Sequence, residues 1–236
     1  MNILLTNDDG IDGKGLLVLA EALSSEHTVY IVAPDTQMSS SSQSLRYIHQ
    51  EMVLSEVHIA GAEKAYKLNG TPADCVYIGT QVVYKNKIDL VISGINKGQN
   101  IANDIYYSGT VGAAKEAILN DIPAIAVSLA SNHAEDFTFA ADSICKLIPQ
   151  YMQSLEDNIC LWNVNVPNLP KTEIKGIKHC PISRSYAYHM EFECKNTAKG
   201  QESIILKSGH ISFEPKEDSD AAYIQQGYIT ISKIYK

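Results

Sequence analysis

Two adjacent carboxylates, Asp8 and Asp9, follow the first apolar run of the sequence and are strong candidates for chemistry. Neighbouring side chains of a regular strand point to opposite faces, so this pair can share a ligand only where the backbone turns. Asn7 before the pair and Gly10 after it are turn-forming residues that permit this. Because two neighbouring carboxylates repel and are costly to desolvate, a divalent cation is their simplest partner. The alternative is a solvated turn that caps a helix beginning near Gly13.

Two further polar loops can supply the remaining ligands of such a cation. One carries the serine patch 39–44, and the other runs from Ser93 to Asn100. A hydroxyl oxygen of Ser39 and an amide oxygen of Asn96 would complete an all-oxygen set, which suits Mg²⁺, Mn²⁺ or Ca²⁺ and suits zinc poorly. Taken alone, the serine patch is equally consistent with a flexible surface loop.

A fourth segment, Tyr107 to Ala114, has the small residues that open a helix. The free amides and the positive dipole end of a helix start form an anion site, to which Ser108 and Thr110 could add hydroxyl donors. The alternative is an ordinary N-cap with no ligand. A cation site and a phosphate cradle at one edge of a sheet would indicate phosphoryl chemistry.

These loops need a scaffold that brings them to one edge. Short β-branched runs alternate with helix-like segments in the first two-thirds of the chain, which predicts an α/β fold with a mainly parallel sheet covered on both faces. In such sheets, ligands bind beyond the carboxyl ends of the strands, where the loops above lie. The predicted strands are Asn2–Thr6, Thr28–Ala33, Ile88–Ser93, Pro123–Leu129 and Ile159–Val166.

Helix signals and a change of pattern complete this organisation. Apolar residues recur at helical spacing between Leu16 and Leu23 and again from Val111 to Ile118, and Thr71 to Asp74 read as a capped helix start. After Pro167 the pattern predicts hairpin strands, then a short helix over 220–226 and a terminal strand.

Composition excludes several classes of protein. The 236 residues carry a net charge of −8, which argues against a dedicated nucleic-acid binder, and their 45% hydrophobic content can build a core. No apolar run is long enough to span a membrane, and no secretory signal opens the chain, so we expect a cytoplasmic protein. Five widely spaced cysteines and scattered histidines indicate neither disulfides nor zinc. The glycine motifs of dinucleotide-binding proteins and P-loop NTPases are absent.

At these loops, and over essentially its whole length, the sequence resembles the SurE family of survival-protein nucleotidases. The matching segments, in order, are 3–10, 33–35, 69–76, 93–96, 107–114, 163–167 and 219–220 with 227–228. The resemblance implies a Rossmann-like three-layer core over residues 1–182. It also implies a C-terminal extension over residues 183–236, which packs on the core and on a partner subunit in a homodimer or homotetramer.

The resemblance also implies a divalent-metal-dependent enzyme that hydrolyses nucleoside monophosphates to nucleosides and phosphate. It assigns one Mg²⁺ or Mn²⁺ ion per subunit, with no role for nucleic-acid duplexes or membranes. The loop after the second predicted strand, Thr36 to Ser44, departs from the family's usual pattern. Two positive charges are missing there, and Ser40 replaces a glycine. The implied metal ligands are Asp8, Asp9, Ser39 and Asn96; the implied catalytic residues are Asp8, Asp9, Asn100 and Ser108; and the implied substrate-binding residues are Ser39, Asn96, Ser108, Gly109 and Thr110.

The expected activity is that of a 5′-nucleotidase, with possible action on 3′-nucleotides. Two alternatives remain open from the sequence. One is a broader phosphatase that also acts on short polyphosphate. The other is a nucleotide-binding protein with weak or no turnover, which is consistent with the altered loop from Thr36 to Ser44.

Overall fold

A central sheet runs through the computed structural model, which describes residues 1–85, 87–155, 159–184, 186–196, 202–213 and 218–236. Nine strands of this described part form the central sheet, and two form a separate hairpin. In chain order, the strands are β1 (Asn2–Thr6), β2 (Thr28–Pro34), β3 (Leu54–Val57), β4 (Lys64–Leu68), β5 (Leu90–Lys97), β6 (Ala124–Ala130), β7 (Leu161–Pro167), β8 (Ile177–His179), β9 (Tyr186–Asn196), β10 (Glu202–Phe213) and β11 (Ile229–Ile234).

The order of strands across the sheet places a topological switch at β1. That order is β3-β4-β2-β1-β5-β6-β7-β11-β8. The strands from β4 through β7 in this order pair in parallel, whereas β3 and β11 pair antiparallel with β4 and β7. The chain first builds outward from β1 through β2 and later builds in the other direction from β5. Because connections leave β1 and β5 in opposite directions, a crevice opens beyond their carboxyl ends.

Helices cover both faces of the sheet and give three layers. One face packs against α1 (Lys14–Leu23) and α5 (Thr138–Gln153) through a core that includes Ile3, Leu16 and Ile144. The other face packs against α2 (Pro72–Ile78) and α4 (Gly109–Leu119) through Leu4 and Val111. None of the helices in the described part of the chain has the length and apolar character that crossing a bilayer requires. The helices are α1 (Lys14–Leu23), α2 (Pro72–Ile78), α3 (Asp104–Tyr107), α4 (Gly109–Leu119), α5 (Thr138–Gln153) and α6 (Asp220–Gln225).

The predicted α/β class is confirmed, and the predicted helix start at Thr71 is a capping box. The Thr71 hydroxyl accepts the Asp74 N–H, and the Asp74 carboxylate accepts the Thr71 N–H. One boundary differs from the prediction, because β5 continues through residues 94–97 with a register shift after Ser93. Asn96 therefore lies at the end of a strand, where pairing with β6 holds it.

The C-terminal third combines a projecting hairpin with a return to the sheet. Strands β9 and β10 pair antiparallel with each other over 186–196 and 202–213, as the sequence pattern predicted. After α6, β11 lies between β7 and β8 in the central sheet. The last strand of the chain is therefore part of the main sheet, although the hairpin before it is not.

Candidate active site

The turn after β1 places two carboxylates at the switch point of the sheet. Asn7 closes this turn, since its Nδ2 donates to the Gly10 carbonyl at 2.8 Å and its Oδ1 accepts the Gly10 N–H at 3.2 Å. Gly10 has φ of +95°, a conformation that L side chains rarely adopt. Neither carboxylate caps α1, whose N-cap Gly13 makes no side-chain cap hydrogen bond.

Asp8 is buried and lies against the start of α4. The Thr110 hydroxyl donates to Asp8 Oδ1 at 2.7 Å. The pKa of Asp8 is raised from 3.8 to about 6, chiefly by burial; the Thr110 hydrogen bond opposes this rise and the charge of Asp9 adds to it. The carboxylate is thus held in an environment that favours either a proton or a cation.

Asp9 is half-buried and lies beside the end of β5. The Lys97 N–H points at Asp9 Oδ2 over a long 3.4 Å contact. Burial raises the pKa of Asp9, while the N–H and the positive charge of Lys97 oppose that rise. Asp9 borders a small cavity of about 220 Å³ with Lys14 and Glu135, next to the main cleft.

The serine loop, residues 36–44, is hydrogen-bonded to both neighbouring segments. The Met38 N–H donates to the Asp8 carbonyl at 2.7 Å, and the Ser42 N–H donates to the Tyr107 carbonyl at 3.0 Å. Ser39, between these two anchors, has an exposed side chain. Ser40 has φ of +60°, in the left-handed region that favours glycine. The loop therefore presents Ser39 to the cleft on a backbone held at both ends.

Asn96 is oriented by its own strand end. Its Nδ2 donates to the Gly98 carbonyl at 2.6 Å. Because a carbonyl can only accept, this contact fixes which side of the amide carries the nitrogen and leaves Oδ1 for a ligand.

The start of α4 lies directly behind Asp8. Ser108 is the N-cap, and its oxygen accepts the Val111 N–H at 3.1 Å, which leaves the hydroxyl proton for an anion. A Cβ on Gly109 would come within 2.9 Å of the Asp8 Cβ and 2.7 Å of the Ser41 Oγ. A glycine is required here because the carboxylate, the serine loop and the helix meet at this point.

Asn100 is held by two asparagines of β7, which we call the asparagine clamp (Asn163 and Asn165). The Asn100 carbonyl accepts both clamp Nδ2 groups, at 2.8 and 3.1 Å, and its N–H donates to Asn165 Oδ1 at 2.8 Å. Its side-chain Nδ2 donates to Ser128 Oγ at 2.9 Å. All four residues are buried, and Asn100 lines the cleft.

These segments enclose an open cleft of about 560 Å³. Five of the predicted site residues line it, namely Asp8, Ser39, Asn96, Asn100 and Ser108. Asp9 borders the adjoining cavity, and Gly109 and Thr110 lie behind Asp8. No role at the site was predicted for the other lining residues, and Asn132 and Met190 carry no local signal. The full set of additional residues is Ser40, Lys97, Gln99, Asp104, Tyr107, Asn132 and Met190.

The donor atoms at this site match a hard divalent cation. Two carboxylates, a hydroxyl and an amide oxygen supply oxygen ligands alone, which Mg²⁺ and Mn²⁺ prefer. A double positive charge would also offset the burial that raises the pKa of both carboxylates and the repulsion that Asp9 adds at Asp8. Beside this charge, the start of α4 offers donors to an anion. The arrangement can therefore hold a cation and a phosphate together.

Comparison with known proteins places the chain in a family. The family model described as Survival protein SurE matches residues 3–189. Proteins named 5′-nucleotidase SurE from Clostridium beijerinckii and Clostridium botulinum are each 41% identical to it, over 239 and 240 residues, and each alignment covers 100% of this chain and 93% of the relative. The crystal structure of the SurE protein from Aquifex aeolicus superposes with a TM-score of 0.83 at 32% identity, covering 100% of this chain and 93% of that one. The chain therefore belongs to the SurE family.

Proposed function

We propose that this protein is a divalent-cation-dependent 5′-nucleotidase, which hydrolyses nucleoside 5′-monophosphates to nucleosides and inorganic phosphate. The observation that carries the proposal is the contact between the buried Asp8 carboxylate and the first turn of α4, where Thr110 donates at 2.7 Å. This contact puts a cation ligand and an anion-binding helix start side by side. Relatives that align with the whole chain bear the name 5′-nucleotidase SurE.

We assign cation binding to Asp8, Asp9, Ser39 and Asn96. The proposed ion is Mg²⁺ or Mn²⁺. When bound, such an ion neutralises a phosphoryl oxygen and lowers the pKa of a coordinated water. The Thr110 hydroxyl holds Asp8 in place, and the Gly98 carbonyl holds the Asn96 amide. The chain's own contacts thus orient two of the four ligands before any ion arrives.

The remaining site residues act on the substrate in this proposal. The Ser108 hydroxyl and the amides at Gly109 and Thr110 face the equatorial oxygens of the phosphoryl group, where negative charge increases in the transition state. Asn100 positions the same group through its side chain, which Ser128 orients while the asparagine clamp holds its main chain. Ser39 and Asn96 also lie close enough to the cleft to contact a phosphate oxygen.

The reaction is an in-line displacement at phosphorus. A water oxygen forms a bond to phosphorus as the ester P–O bond breaks, one of the two carboxylates accepts the water's proton, and the nucleoside oxygen leaves with a proton from solvent.

We also infer that the molecule works as a homodimer or a dimer of dimers, with residues 1–182 as the catalytic core and 183–236 as an extension that packs on the core and on a second copy. Support comes from the β9–β10 hairpin, on which Phe192, Ile204 and Leu206 are 60%, 69% and 56% exposed. A two-stranded sheet with an apolar face is marginal by itself and gains stability from a partner surface.

The test is phosphate release from 5′- and 3′-nucleoside monophosphates and short polyphosphate, with Mg²⁺, with Mn²⁺ and with EDTA. We expect release from 5′-nucleotides that EDTA abolishes. The Asp9→Asn variant should lose turnover and keep its fold, whereas Asp12→Asn, an exposed acid of the same loop, should keep both. Full activity of a folded Asp9→Asn variant, or metal-independent release, would overturn the proposal.

A further inference from the structure

The charged residues that line the cleft supply too little positive charge to balance a dianionic substrate. The described residues of the lining include two carboxylates, Asp8 and Asp104, and one cation, Lys97. The loop from Thr36 to Ser44 contains no Lys or Arg. Among the described lining residues, a phosphate monoester that enters this cleft therefore meets one cation, Lys97.

Lys97 is placed where it can serve both sides of the site. It is the last residue of β5 and directly follows Asn96. It borders the main cleft of about 560 Å³ and also the adjoining cavity of about 220 Å³. An ammonium on a flexible four-carbon stem can reach either space from a backbone that pairing with β6 keeps in place.

In the structure, the ammonium of Lys97 pairs loosely with Glu135, which borders the adjoining cavity and does not line the main cleft. Lys97 Nζ lies 3.7 Å from Glu135 Oε1, whereas Lys14 Nζ lies 2.7 Å from Glu135 Oε2. The side chains of Lys97 and Glu135 are 38% and 74% exposed, and exposed ion pairs contribute little to stability. Because Glu135 keeps Lys14 as its closer partner, Lys97 can leave without stranding a carboxylate.

We propose that Lys97 is a phosphate-binding residue: its ammonium leaves Glu135 and pairs with the phosphoryl group in the cleft. Glu135 then acts as the competing acceptor that sets how readily Lys97 is released. This inference rests on the proposed function and adds a residue that determines affinity for the phosphate of the substrate.

The experiment compares two lysines that share one partner. Lys97→Met should raise KM for a 5′-nucleotide about tenfold, the loss of one charge-assisted contact, with kcat changed by less than about threefold. Lys97→Arg should restore KM to within about threefold of the wild-type value, since the charge is kept. Lys14→Met is the matched control, because Lys14 pairs with the same Glu135 but does not border the main cleft, and its KM should stay within about twofold of wild type.

A second arm measures binding without turnover. Titration calorimetry with inorganic phosphate, in the presence of Mg²⁺, should show weaker binding to Lys97→Met than to wild type, and tighter binding to Glu135→Gln, in which the competing charge is removed. Equal phosphate affinity for wild type and Lys97→Met, or equal KM changes for Lys97→Met and Lys14→Met, would overturn the inference. Absence of nucleotide turnover in wild type would instead count against the proposed function, and the calorimetry would still decide the role of Lys97.

Discussion

Asp8 carries the largest electrostatic cost among the candidate site residues. It is buried, it sits next to a second carboxylate, and its pKa is raised to about 6 although Thr110 donates to it. An acid in this state is destabilising when charged and unliganded. The same arrangement gives the site its affinity for a cation, because the ion relieves burial and repulsion together.

We predict that the cation-free protein loses stability as pH rises from about 4 to about 6. Over that window the folded state holds a proton on Asp8 that the unfolded state has released, so the folded state binds more protons and the free energy of unfolding falls with rising pH. The total change is up to about 3 kcal/mol and levels off above the folded pKa. Urea unfolding at a series of pH values in EDTA measures it.

Asp8→Asn is the control for this pH effect. The variant has no carboxylate at position 8, so its slope should shrink to the contributions of Asp9 and Asp220, whose pKa burial also raises. Added Mg²⁺ should stabilise wild type near pH 8 more than it stabilises the variant. If wild type and variant show the same slope, the raised pKa does not belong to Asp8.

At the scale of elements, β7 positions the segment after β5 that carries Asn100. β7 itself contributes no residue to the cleft. Its clamp residues Asn163 and Asn165 bond the Asn100 main chain, and Asp220 at the start of α6 accepts the N–H of Ala102 at 3.0 Å. The segment after β5 is thus held from two later parts of the chain. Loops that carry function need such rigid support to keep groups in reacting geometry.

We predict that Asn165→Leu lowers kcat by at least about tenfold, because it removes the acceptor of the Asn100 N–H and one donor to its carbonyl. The variant should also lose about 1–3 kcal/mol of stability from the unpaired buried groups. Steady-state kinetics and urea unfolding measure the two effects.

Val164→Ala separates activity from stability. Val164 is buried on the opposite face of β7, away from Asn100. Its truncation should lower the free energy of unfolding by about 1–3 kcal/mol, as in Asn165→Leu, while kcat stays near the wild-type value. Equal loss of kcat in both variants would show that general destabilisation, not the clamp, governs activity.

At the scale of the whole molecule, the hairpin has one apolar face that the described residues do not cover. Cross-strand pairing of Phe192 with Leu206 and of Cys194 with Ile204 puts these four side chains on one face. Met190, on the same face of β9, lines the active-site cleft. A partner seated on this face would therefore lie next to the site.

We predict that the double variant Phe192→Asp with Leu206→Asp reduces the molar mass measured by light scattering at micromolar concentration to that of a monomer, about 26 kDa. Two charges on the apolar face make its burial against a second copy unfavourable. Ile205→Asp is the matched control on the other face of the hairpin and should keep the wild-type mass. A monomer mass for wild type would itself rule out the proposed assembly.

The fold class and the family could be predicted from the amino-acid sequence, and the structure and the comparisons confirm both. Apolar runs and motif residues carry these signals at neighbouring positions. Apolar runs and turn-forming residues mark β1 and the Asp8–Asp9 turn, and the capping box at Thr71 is complete within four residues. Strands β3 and β4, at one side of the sheet, were not predicted, since four or five residues that mix polar and apolar side chains give a weak pattern. The roles of the candidate site residues stay predictions.

Contacts between residues far apart in the chain are not predictable from local patterns. Neither the Asn165 contact to Asn100, 65 residues away, nor the Lys14 contact to Glu135, 121 residues away, has a local signal. Asn96 lies in β5 and not in the loop after it, because pairing with β6 extends the strand. Turns and caps are set by neighbouring residues, whereas clamps, charge partners and cleft walls depend on where the packed sheet brings separate segments together.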